Sequence, residues 1–185
     1  MGTRINLLFG HGMRDWTDRH ESIRILSSTL SATQKLAAYW TDGVLNDSPD
    51  NERWVAAPPF PPPETRNYHR YTGPGPLFID VNPFAVRVRT GGRWRGFVSI
   101  QPLRSIHIQV FNSLFNAFGA LAYRIFPDSD FLDDAFWEGG DFKTCTDVLN
   151  SRFGRPIPLQ ERVDPQMVAK VDARCPLVQY KYSLQ

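Results

Sequence analysis

The densest run of potential chemistry in this chain lies near its N-terminus. Thr3–Phe9 is a short run rich in Ile and Leu that stops at Gly10-His11-Gly12, and Arg14, Asp15, Asp18 and His20 follow. An imidazole held between glycines at a strand end, with a carboxylate in reach, can relay a proton near neutral pH. His11 with Asp15 or His20 is therefore the catalytic candidate, and hydrolysis is the chemistry it suggests. The three would bind a metal only if the loop folded back on itself. Neither a Gly-x-Ser-x-Gly elbow nor an HExxH pair accompanies them, so a plain turn is preferred to a site. No metal centre and no cofactor is expected.

A second set of residues suggests binding. Phe84-Ala-Val-Arg-Val-Arg89 and Arg93-Trp-Arg-Gly-Phe-Val-Ser-Ile100 flank Thr90-Gly91-Gly92. If these are strands of a hairpin with a three-residue loop, Phe84, Val86 and Val88 face Val98, Gly96 and Trp94 on one side. Arg87 then opposes Arg95, and Arg89 opposes Arg93, on the other. Like charges directly opposed on a sheet destabilise it by roughly 0.2–1 kcal/mol. Arginine's planar fork suits an acidic partner or a phosphate, so Arg87, Arg89, Arg93 and Arg95, with His107 on the same side, are the candidate partner or anion contacts.

These residues need a scaffold, and the composition supports one. The chain has 185 residues, 42% of them hydrophobic and 13% aromatic, which fits one folded domain over 1–185. A net charge of only +2 argues against a whole-surface nucleic-acid footprint. Leu77–Val81, 84–89, 93–100 and 104–111 read as strands, and the nearly all-apolar Asn112–Phe126 reads as a buried helix too short for a membrane span. Asp18 caps a helix through Ile23, Leu26 and Leu30, and Ser31-Ala-Thr-Gln34 opens another as a capping box. Asp141 caps a helix closed by Gly154 and Pro156, and Asp164-Pro165 opens one more. The expected fold is α+β: a mainly antiparallel sheet over about 77–111 plus terminal strands, packed with four to five helices and a long proline-rich loop.

That loop, residues 43–76, has no hydrophobic period and contains Pro58-Pro-Phe-Pro-Pro-Pro63. Trp54, Phe60, Tyr68 and Tyr71 have packing to gain, and the preferred reading is an extended arm that lies on a neighbouring subunit; packing on its own body is the next. The acidic stretch Asp128, Asp130, Asp133, Asp134, Glu138 and Asp141 lacks the EF-hand pattern and is placed to face the arginine strands, in this chain or in a second copy. Cys145 lies among Phe142, Val148 and Leu149 at helical spacing, which suits a buried thiol, and with Cys175 it makes no CxxC. Leu177–Leu184 alternates enough for a last strand.

The function these features favour is a non-enzymatic structural or assembly subunit of a larger complex, such as a virion or an organellar assembly. Its partners would be other protein subunits, copies of itself included, met through the arm and the arginine face. A small hydrolase using His11 is the alternative, and a nucleic-acid or phosphate binder is the third. With no signal peptide apparent, an intracellular or virion setting is expected.

Overall fold

The computed structural model describes residues 4–40, 52–57, 67–75, 77–127 and 130–156. Among these residues six strands form one antiparallel sheet: β1 (Arg4–Gly10), β2 (Val55–Ala57), β3 (His69–Gly73), β4 (Leu77–Val81), β5 (Ala85–Arg93) and β6 (Tyr123–Pro127), in the order β2-β3-β4-β5-β1-β6. The strand β1 is thus interior, between β5 and the edge strand β6. Among the described residues six helices pack on the sheet: α1 (Arg19–Ser27), α2 (Leu30–Trp40), α3 (Trp94–Ser99), α4 (Gln101–Ala117), α5 (Asp133–Trp137) and α6 (Phe142–Phe153), with a 3₁₀ turn at Asp130–Leu132. The architecture is α+β, as expected.

The sheet has two faces because side chains alternate along each strand. Leu7, Phe9, Ile79, Val86, Val88, Tyr71 and Ile125 belong to the larger core, which includes Leu26 of α1, Leu36 of α2, Phe97 of α3 and Val110, Phe111 and Leu114 of α4. Leu8 and Phe126 belong to a smaller core with Leu132, Phe136, Cys145 and Leu149, under α5 and α6.

Two expected strands are helices. In 93–100 the buried residues are Trp94, Phe97 and Val98, and in 104–111 and its flanks they are Leu103, His107, Val110, Phe111 and Leu114. Those spacings of three and four mark one helical face. Pro102 stands in the first turn of α4, where the missing amide costs nothing. The helix expected over 112–126 is accordingly displaced: α4 ends at Ala117, and Tyr123–Pro127 is a strand paired with β1.

Gly91 and Gly92 make no hairpin. They lie within β5, where the β1 pairing shifts register between Arg4 and Asn6. A Cβ on Gly92 would stand 2.7 Å from Nε2 of His107 and 2.8 Å from Cδ1 of Ile5, so glycine lets the strand pass over α4.

The described pieces of the 43–76 segment form β2, β3 and the turn into β4. Trp54, Tyr68 and Tyr71 are buried in the chain's own body: Trp54 and Tyr71 in the larger core, Tyr68 in the smaller, stacked on Trp137 at 5.7 Å. This corrects the expectation of an arm laid on a neighbour for these three residues, because their rings already have their packing. Trp54 lies so close to Gly73 that a Cβ there would meet its ring at 2.5 Å. Phe60, the whole proline run Pro58–Pro63 and the expected C-terminal helix and strand fall outside the described residues.

Candidate functional site

The loop after β1 positions His11 against the β4–β5 turn. Nε2–H donates to the Asn82 carbonyl at 2.8 Å, and Nδ1 accepts the Met13 amide at 3.2 Å. Both ring nitrogens are thus engaged by backbone, which fixes the tautomer. Burial holds the imidazole below its ordinary value, against the opposing bond to Asn82. Asp15 turns to Thr17, accepting its amide at 2.9 Å and its hydroxyl at 2.5 Å, and His20 is exposed in the first turn of α1. Among the described residues no carboxylate hydrogen-bonds His11. The structure does not draw His11, Asp15 and His20 into one set.

Asn82, which the sequence reading did not single out, organises this end of the sheet. It is fully buried; its Nδ2 donates to Phe136 O at 2.8 Å and Gly140 O at 2.9 Å, and its Oδ1 accepts the Phe84 and Ala85 amides at 2.9 and 2.6 Å. One amide group therefore ties α5 and the α5–α6 turn to the start of β5. A polar group left unpaired there would cost about 1–3 kcal/mol, which its four bonds avoid.

The arginines divide. Arg87 and Arg89 do share a sheet face, opposite to Val86 and Val88, but they look inward. In register, Arg70 of β3 lies beside Asp80 of β4, and Asp80 beside Arg87 of β5. Asp80 accepts Arg70 through Nε at 2.6 Å and Nη2 at 3.1 Å, and Arg87 through Nη2 at 3.1 Å, with Arg89 Nη2 at 3.2 Å. Arg87 Nη1 also donates to Asp133 at the start of α5. The acidic stretch thus reaches the arginine strand within the same chain, through Asp133.

Aromatic rings close the cluster. The Arg87 guanidinium lies 4.9 Å from the Phe136 ring centroid and 5.5 Å from that of Trp137, Arg70 5.6 Å from Tyr68, and Arg89 5.9 Å from Phe78. Burial alone would push the Asp80 carboxyl up, but Arg70, Arg87 and Arg89 hold it below the usual carboxylate range. Burial wins at Asp133, which is raised despite Arg87. Burial also lowers Arg89, against Asp80, with Arg87 and Arg70 adding to the shift.

Arg93 and Arg95 do not join this group. Arg93 ends β5 opposite Arg4, past the register shift, and Arg95 is exposed on α3. His107 is buried in α4, where Nδ1–H donates to Leu103 O at 2.7 Å. The expected row of four guanidinium groups with His107 beside it is thereby corrected: it needed 93–100 and 104–111 to be strands. The residues the sequence reading missed are Arg70 and Asp80; Asp133 belongs to the acidic stretch it had set against the arginines. The available signal was a lone carboxylate in the apolar strand Leu77–Val81, ahead of two alternating arginines.

The outer surface of the same sheet end carries exposed apolar groups. Phe84 is 57% exposed and Leu121 is 92% exposed. Their loops are stitched to the His11 loop, since His11 N donates to Phe84 O and Gly12 N to Phe118 O, both at 3.3 Å. A groove of about 490 Å³ is lined by Met13, Arg14, Glu21, Arg24, Ile25 and Phe118, and neither Phe84 nor Leu121 lines it.

Among the described residues no helix is long and apolar enough to cross a membrane, and no three His, Cys, Asp or Glu side chains converge as a metal site. Compared with protein families, with curated proteins and with solved structures, the chain matches none.

Proposed function

We propose that this chain is a non-enzymatic subunit that works by binding other protein subunits, and that it does so through the loop end of its sheet. The observation that carries the reading is the pair Phe84 and Leu121, exposed on loops that the backbone of His11 and Gly12 ties together. Large exposed apolar side chains on loops tied together by backbone bonds are what a docking partner covers. Arg87 and the described aromatics of the 43–76 segment are internal, so the contact surface differs from the one the sequence suggested.

The test compares the wild-type chain with a Phe84→Ser/Leu121→Ser variant by light scattering and by co-purification from the native source. A particle heavier than the 21.1 kDa monomer in the wild type, reverting to monomer in a variant of unchanged stability, supports the reading. A monomer at every concentration whose co-purifying proteins are the same in both overturns it.

A further inference from the structure

Phe84 and Leu121 mark a contact, but two side chains cover far less than the roughly 800 Å² per partner that a stable protein interface buries. A contact at the loop end therefore extends onto the flanks of the sheet, and the flanks differ in charge. On the side of α5 and α6, Asp134 and Glu138 are exposed four residues apart, on one helical face. That face stands near Phe84. A Cβ on Gly139 would lie 3.7 Å from Cδ of Pro83, and Asn82 holds the carbonyls of Phe136 and Gly140.

On the side of α1 and α4, the groove over Met13, Ile25 and Phe118 carries Arg14 and Arg24, both exposed. The Arg24 side chain is 75% exposed and meets Glu21 at 3.7 Å, a surface pair that holds it loosely. Gly119, two residues before Leu121, also lines this groove, and Gly12 at its wall donates its amide to Phe118 O. The loop end thus has acids on its Phe84 side and arginines on its Leu121 side.

We infer that the loop end is a two-fold contact between copies of this chain, in which Asp134 and Glu138 of each copy dock on Arg14 and Arg24 of the other. A two-fold contact needs a patch and its complement at one end of the molecule, because residue i meets residue j twice about the axis. The two flanks meet that condition, and their opposite charge decides which flank faces which. Met13 and Ile25, half-buried in the free chain, supply apolar surface under the charges. Glu21, against Arg24, is the acid that opposes the approach and limits affinity. The inference rests on the subunit reading and names a second copy as the partner.

Sedimentation equilibrium on the full chain, at about 50 and about 500 mM salt, measures the contact. The wild type should form a particle of twice 21.1 kDa that weakens as salt rises. Arg14→Glu/Arg24→Glu sets acid against acid, and Asp134→Lys/Glu138→Lys sets cation against cation, so each variant alone should dimerise at least about tenfold more weakly. Mixed one to one, the two variants restore both contacts and should pair within about threefold of the wild-type affinity. All four positions are exposed, so thermal unfolding of the variants should match the wild type. A dimer that survives both reversals yet is lost in Phe84→Ser/Leu121→Ser overturns this inference and leaves the subunit reading standing. A wild-type monomer at every concentration, or reversals that weaken the dimer with no recovery on mixing, overturns it as well.

Discussion

Arg70 grips Asp80 with two parallel bonds, Nε to Oδ1 at 2.6 Å and Nη2 to Oδ2 at 3.1 Å, and does so across neighbouring strands with almost no solvent. This two-pronged contact fixes the Asp80 carboxylate so that one oxygen is left facing Arg87 and Arg89. Asp80 is the hub on which three cations depend.

Asp80→Asn should therefore destabilise the fold by about 3–5 kcal/mol, since it strands buried guanidinium groups without their shared anion. Asp133→Asn should cost less, about 1–3 kcal/mol, because Asp133 is partly exposed and the buried Arg87 keeps its bond to Asp80. Urea unfolding of the two variants side by side checks the order, and equal losses would remove Asp80 from its central place.

His107 should make stability depend on pH. Burial pushes its imidazole down from 6.5 to about 4, against the bond to Leu103. Between those values the unfolded chain takes up a proton that the folded chain refuses. Stability is then fully present above pH 6.5 and falls as pH drops, by about 3 kcal/mol at pH 4. Asp80, held below its ordinary value, adds its loss only at more acid pH. Denaturant titrations from pH 7.5 to 4.5 should show the slope, and His107→Gln should make it shallower, leaving the parts due to His11 and His69, which burial also lowers.

Gly92→Ala should cost about 1–3 kcal/mol, because the new methyl meets His107 and Ile5 and well-packed cores resist added volume. Gly12→Ala is the control, with nothing within 4 Å of the added carbon. A thermal shift in the first and not in the second is the expected result.

Cys145 should be inert in the folded protein. Its thiol is buried and pushed up to about 12, chiefly by burial, so little thiolate exists at neutral pH. Iodoacetamide labelling mapped by mass spectrometry should find Cys145 unmodified in buffer and modified in denaturant. Rapid labelling of native protein at this residue would contradict the packing around Leu8 and Leu149.

What could be read from the sequence is what short-range forces decide. Asp18 accepts the His20 and Glu21 amides, Asp141 accepts the Thr144 amide, and Gly154 ends α6 at φ 76°, because caps involve only residues one turn apart. The alternation of Val86 and Val88 against Arg87 and Arg89 likewise follows from the strand's own period. Leu103 to Leu114 was ambiguous, since Ile106, Ile108 and Val110 alternate as a strand would while Leu103, His107, Val110 and Leu114 repeat as a helix does. Only packing against the sheet settled it for the helix.

The destination of the arginines was beyond any local signal. Asp80 lies 7 residues before Arg87 and Asp133 lies 46 after it, and they meet because β4 pairs with β5 and α5 folds back over that face. Charge is written in the sequence, but which charges become neighbours depends on strand order and helix placement. Those are set by burying two apolar cores at once, a property of the whole chain and of no segment in it.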